Sequence, residues 1–248
     1  MDKLNNAPLK EVIFELRWDL ETIDGSNSLF DPEFDYAVGK LEEKLECDFP
    51  IRKRTIPQLL AASIQSYTII HQFWSDDEKW PVIQYGPGIF TINDARPEYK
   101  WDKNFFPLIK DKLKILNDSY RNRNSYSLAS LRYIDIVETK NYAFNNLKKF
   151  IHDNFNIEFE STYDKNGKLK DFRFHHVYDL GEDFDFHFTI GSGRNEKNED
   201  IVIWETNMVS NRVIDNYLDA ISWVENAHRY SSNVFKDICK DTFYASFK

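Results

Sequence analysis

One pattern of elements runs through this chain twice, and it restricts the fold more than any single motif does. Pro8 to Asp19 alternates, with Val12, Phe14, Leu16 and Trp18 on one face and Glu11, Glu15 and Arg17 on the other, as in a half-buried strand. Ile13 interrupts the polar face. Asp31-Pro32-Glu33 is a helix start, and Phe34, Val38, Leu41 and Leu45 follow at helical spacing until Pro50. Three strands are expected next, over Ser63–Trp74, Trp80–Tyr85 and Ile89–Asn93, the last two joined by Gly86-Pro87-Gly88. A helix over Glu98–Asn117 closes the series, with Pro107 forcing a kink or a late start.

The series then begins again. Ser125–Glu138 reads as a strand and Ala143–Phe155 as a helix. Asp171–Tyr178, Phe184–Ile190 and Ile201–Thr206 read as strands, and a long helix runs from Val213 onward. Both halves are strand–helix–strand–strand–strand–helix, without residue identity between them. The expected class is α+β: one compact body of two similar halves, about 1–120 and 121–248. Its antiparallel strands form two sheets or one continuous curved sheet, packed by helices on one face. From Asn211 to about Tyr244 no Gly or Pro occurs. The apolar stripe there fits one helix of about 50 Å, or two helices bent at Ser231-Ser232-Asn233. Such a stripe can pack across both halves or serve a homodimer through the C-terminal helix.

Composition excludes several classes. A chain of 248 residues with 16% aromatics can bury a core without metal or disulfides. Cys47 and Cys239 make no disulfide framework. The net charge of −9, with scattered Lys and Arg, disfavours nucleic acid. No signal peptide and no apolar run of membrane length is present, so a cytoplasmic protein without membrane contact is expected.

Motifs for chemistry are sparse. Gly86-Pro87-Gly88 is no phosphate cradle, because Pro87 removes a donor and a strand follows; a tight turn fits better. Gly191-Ser192-Gly193-Arg194 lacks the third glycine and the helix of a dinucleotide loop, and Asn166-Gly167 is turn chemistry. With a turn centred on Gly181, His175 would sit opposite His187, a pair that could hold a divalent metal or simply belong to a solvated strand face; no third ligand clusters with them. Glu11, Arg17 and Arg132 would form either cross-strand pairs joining the halves or one wall of a ligand pocket. His228 lies on the apolar stripe of the last helix, three residues after Glu225.

Four stretches together resemble a known family. They are Asn6-Ala7-Pro8-Leu9-Lys10-Glu11 with the strand it opens; Gln84 to Asn93 with Tyr99 and Trp101; Leu131-Arg132-Tyr133-Ile134-Asp135; and Ala227-His228 with Phe235. In these the chain is similar, nearly end to end, to a sporadically distributed bacterial family of about this length that opens on an N-A-P-x-x-E strand. That family usually carries Asn where this chain has Asp135. The resemblance implies no activity, and the family's patchy distribution implies an association with phage or defence islands. The expectation is therefore a non-enzymatic interaction or regulatory protein of a bacterium or phage, without cofactor. The alternatives are a small-molecule or nucleotide-binding protein with an aromatic and Arg-lined pocket, or a metal-dependent hydrolase on His175 and His187.

Overall fold

The computed structural model describes residues 4, 6–22, 29–57, 66–121, 125–141, 147–158, 169, 171–181 and 183–248. The first half contains β1 (Leu9–Arg17), β2 (Glu21–Thr22), β3 (Leu29–Phe30), α1 (Phe34–Leu45), β4 (Ile51–Arg54), β5 (His71–Trp74), β6 (Val82–Gly86), β7 (Ile89–Asp94) and α2 (Phe106–Ser119). The second contains β8 (Leu128–Glu138), α3 (Leu147–Asn154), β9 (Arg173–Asp179), β10 (Asp185–Arg194), β11 (Asp200–Val209), α4 (Tyr217–Ile238) and α5 (Asp241–Ala245).

The strands form one continuous nine-stranded antiparallel sheet in the order β4-β5-β6-β7-β1-β8-β11-β10-β9, with β2 and β3 a separate pair. The repeated pattern is thus a pseudo-two-fold arrangement. The opening strands of the halves, β1 and β8, meet at the seam. Outward from it run β7, β6 and β5 on one side and β11, β10 and β9 on the other. β4 is an addition the sequence pattern does not reveal. Its residues, Ile-Arg-Lys-Arg, carry no apolar alternation, and a short, basic strand is what a protected sheet edge requires.

Register decides which face each residue joins. Phe14 pairs with Leu131 and with Ile92, and Leu16 with Ala129 and Phe90. All of these are buried beneath the helices, together with Ile83, Tyr85, Phe73, Trp204 and Met208. Burying each large side chain stabilises by ~1.5–3 kcal/mol. A buried polar group orders one end of this core. Asp31 accepts from Trp18 Nε1 at 2.9 Å and from the Tyr120 hydroxyl at 2.8 Å, and its other oxygen accepts the Glu33 amide. The opposite face of the sheet carries Glu11, Ile13, Glu15 and Arg17 from β1 and Ser130, Arg132 and Ile134 from β8.

Helix boundaries follow local chemistry. A π-helical turn at Trp101–Phe105 leads into α2, so Pro107 falls in the first turn of the α-helix, where its missing N–H costs nothing. Asn216 caps α4 by accepting from the amides of Leu218 and Asp219. α4 begins at Tyr217, later than Val213, and passes unbroken through Ser231-Ser232-Asn233 to Ile238, 22 residues or ~33 Å. It is neither a helix reaching Tyr244 nor one broken at the serines. Ser231, the first residue of the polar triplet, is buried on the packed side of this continuous helix.

Gly86-Pro87-Gly88 is the expected turn: Gly86 pairs with Ile89, and Gly88 takes a φ of +77°. A Cβ on Gly86 would lie 1.9 Å from the Thr68 carbonyl oxygen, so close backbone approach fixes that glycine. Asn166-Gly167 lies outside the described residues, as do residues 63–65 and 143–146 of two expected elements. No helix among the described residues is long and apolar enough to cross a membrane.

Candidate functional site

The helix-covered face of β8 follows one phase of the strand: Leu131, Tyr133, Asp135 and Val137. Three of these suit a core and one does not. Asp135 is 4% exposed, and among the described residues no hydrogen bond or ion pair reaches its carboxyl. A buried carboxylate without a partner is costly, and the group responds by holding its proton. Burial pushes the Asp135 carboxyl up to about 8. The fully buried Asp94 on β7 shows the alternative, since Arg96 grips it with contacts of 2.7 to 3.1 Å.

Asp135 opens onto a cavity of about 150 Å³ between the sheet and α4. Ala7, Pro8 and Leu9 form one wall, and Phe235 and Tyr244 another; Tyr133 and Thr206 form the floor, and Lys236 sits exposed at the rim. The wall at Pro8 is held by the sheet. The Pro8 carbonyl accepts from the Ile136 amide, and a bulge lies between Leu9 and Glu11 where β1 meets β8. Ser231 also lines this space, and among the described residues its buried Oγ has no hydrogen-bond partner. The cavity is of the size that admits a benzene-like molecule.

His228 is the one sequence-expected residue at this site. Its ring stacks on Trp101 at 3.9 Å between centroids, and its Nδ1 lies 2.7 Å from the Tyr133 hydroxyl. Tyr133 is in turn 3.3 Å from the Tyr99 hydroxyl. Burial lowers His228 to about 4, so the imidazole is neutral at physiological pH. Burial raises both tyrosines, most of all Tyr133, and keeps them protonated. The π-helical turn places Trp101 against this ring. Asp135, Tyr133, Thr206 and Ser231 were not singled out from the sequence as site residues. The signal for the first was present: an acid in the apolar phase of the alternating strand Leu131-Arg132-Tyr133-Ile134-Asp135.

The other five candidates, Glu11, Arg17, Arg132, His175 and His187, fall on the opposite face of the sheet and not beside His228. Glu11 accepts from Asn93 Nδ2 at 2.8 Å, and Arg17 Nε lies 2.7 Å from Glu15, which makes both cross-strand or same-face pairs. Arg132 pairs in register with Asn207, and Asn207 with His187. The expected register of the histidines is corrected: His175 lies opposite Thr189 and His187 opposite Val177, so the two are diagonal neighbours with ring centroids 5.7 Å apart. His175 Nδ1 is engaged by Thr189 Oγ1 at 2.9 Å. Burial and then His175 lower His187. Among the described residues no group of three His, Cys, Asp or Glu is arranged to hold a metal. The arginines do not line the cavity under α4, so an Arg-lined pocket there is also corrected.

Protein-family models, curated proteins and solved structures were compared with the chain, and none matched.

Proposed function

We propose that the chain is a binding protein whose pocket beneath α4 takes a compact, mostly apolar molecule bearing one basic nitrogen. The observation that carries this reading is the Asp135 carboxyl: buried, without a partner among the described residues, and facing a cavity with apolar walls. The other buried carboxylates of this core, Asp31 and Asp94, are both engaged, whereas Trp204 Nε1, on the residue opposite Asp135 in the sheet, is buried without a partner among the described residues. A cationic nitrogen against Asp135 would supply the missing partner, and Ser231 Oγ would take a remaining N–H. Aromatic faces from Tyr133, Phe235 and Tyr244 suit the apolar body. Binding is favoured over turnover because among the described residues no base hydrogen-bonds to Ser231 Oγ, and the neutral His228, one helical turn away, is committed to Tyr133.

Supporting this reading, three of the four stretches on which the family resemblance rests supply residues to the cavity, while the hairpin Gln84–Asn93 does not reach it. Ala7-Pro8-Leu9, Tyr133 with Asp135, and His228 with Phe235 line the cavity, while Tyr99 and Trp101 buttress Tyr133 and His228.

A thermal-shift series tests the proposal. Benzylamine and cyclohexylamine should raise the melting temperature, more at pH 8 than at pH 6, because ionised Asp135 is the binding form. Toluene and phenylacetate should do so weakly or not at all. At a ligand concentration 100 times Kd the gain would be about 2.7 kcal/mol. If millimolar amines leave both the wild type and Asp135→Asn unmoved, the proposal fails.

A further inference from the structure

The two edges of the nine-stranded sheet are built differently. β4 is four residues long and basic. β9 is seven residues long, contains neither Pro nor Lys, and is exposed along nearly its whole length, with Val177 52% and Tyr178 49% exposed. An edge of that kind is a template for another strand.

Its hydrogen-bonding direction is fixed. The Phe172 carbonyl accepts from the Ser192 amide, and the Leu180 amide donates to the Phe184 carbonyl. Both groups point inward to β10. By the alternation of a strand, Arg173, His175, Val177 and Asp179 turn their own N–H and C=O groups outward. Among the described residues nothing bonds to these outward groups.

We infer that β9 pairs antiparallel with β9 of a second copy of this chain, across a two-fold axis through His176, to make a dimer with one continuous sheet. The strand is self-complementary in that register and in no neighbouring one. With His176 on the axis, Arg173 faces Asp179 of the partner subunit at both ends of the pair. His175 faces Val177 of the partner subunit, and Phe174 faces Tyr178 of the partner subunit on the helix side. All seven residues are used, and the outward groups make about eight main-chain hydrogen bonds. Moving the axis to His175 or Val177 removes the Arg–Asp pairs: the first sets Asp171 against Asp179, and the second sets Arg173 against Gly181. A two-fold axis normal to the sheet keeps the helices of both copies on one side. The exposed Leu180 directly follows β9.

Light scattering on the full chain reads the outcome. The wild type should show twice the chain mass of 29.5 kDa at tens of micromolar. Val177→Pro removes one outward N–H without touching the β9–β10 ladder, and should give a folded monomer. Arg173→Asp should weaken the dimer at least tenfold, and Arg173→Asp with Asp179→Arg should restore it. Facing residues on the axis form a non-hydrogen-bonded pair with Cα atoms about 4.5 Å apart, within disulfide reach. His176→Cys in a Cys47→Ser background should therefore oxidise to a covalent dimer, whereas Val177→Cys should not. A monomeric wild type with no His176→Cys cross-link would overturn the inference. So would a Val177→Pro protein that remains a dimer, or a wild type that stays monomeric while retaining a foreign strand on β9.

Discussion

Replacing Asp135 by Asn tests the electrostatics of the pocket directly. In the unfolded chain the carboxyl titrates at its ordinary value of 3.8; in the folded protein, burial moves it up to about 8. Below about pH 4 both states hold the proton and the side chain is neutral in each. Between these values the unfolded chain is ionised and the folded protein is not, so folding takes up a proton. Stability then falls by ~1.4 kcal/mol for each unit of rising pH. Above pH 8 both states are ionised and the loss levels off, at an upper bound of about 6 kcal/mol. Water entering the cavity reduces that bound. Asn has nearly the same volume and no titration. The variant should therefore match the wild type within about 1 kcal/mol near pH 4 and exceed it by about 3 to 4 kcal/mol at pH 7. Urea unfolding at unit pH steps from 4 to 9 measures the difference, since an unchanged slope m lets the midpoints be read as stabilities. A difference that stays flat across the range, or a wild type more stable than the variant at pH 8, would refute the claim that the carboxyl is buried without a partner.

Other consequences follow from single sites. Asp31→Ala removes the acceptor shared by the buried Trp18 Nε1 and Tyr120 hydroxyl, and should cost about 1–3 kcal/mol in urea unfolding, with near-ultraviolet circular dichroism of Trp18 altered. Gly39, inside α1 with open space at its Cβ position, should gain about 1 kcal/mol on conversion to Ala. Gly86→Ala drives a methyl into the Thr68 carbonyl and should lose more than about 2 kcal/mol; a neutral outcome would mean that the β6–β7 corner can shift. The His228 imidazole should stay neutral down to about pH 4 in an NMR titration, since burial opposes its charging; a midpoint near 6.5 would place it in water.

The sequence by itself determined the class and the repeat. Alternation in Val12-Ile13-Phe14-Glu15-Leu16 and three-to-four spacing in Phe34, Val38, Leu41 and Leu45 are local signals, because side-chain direction in a strand or helix is set by the backbone period. It could not determine that β1 and β8 would adjoin and fuse two sheets into one. That pairing joins residues more than a hundred apart, and no local preference encodes it. β4 was illegible for the opposite reason, since an edge strand has little apolar burial to leave a pattern. For the site, the motif residues could be read as unusual but not as neighbours. Only the tertiary structure brought Pro8, Asp135, His228 and Phe235 around one cavity while sending Arg17 and Arg132 to the other face. The physical reason is register: one residue of parity on β8 separates Arg132 on one face of the sheet from Tyr133 and Asp135 on the other.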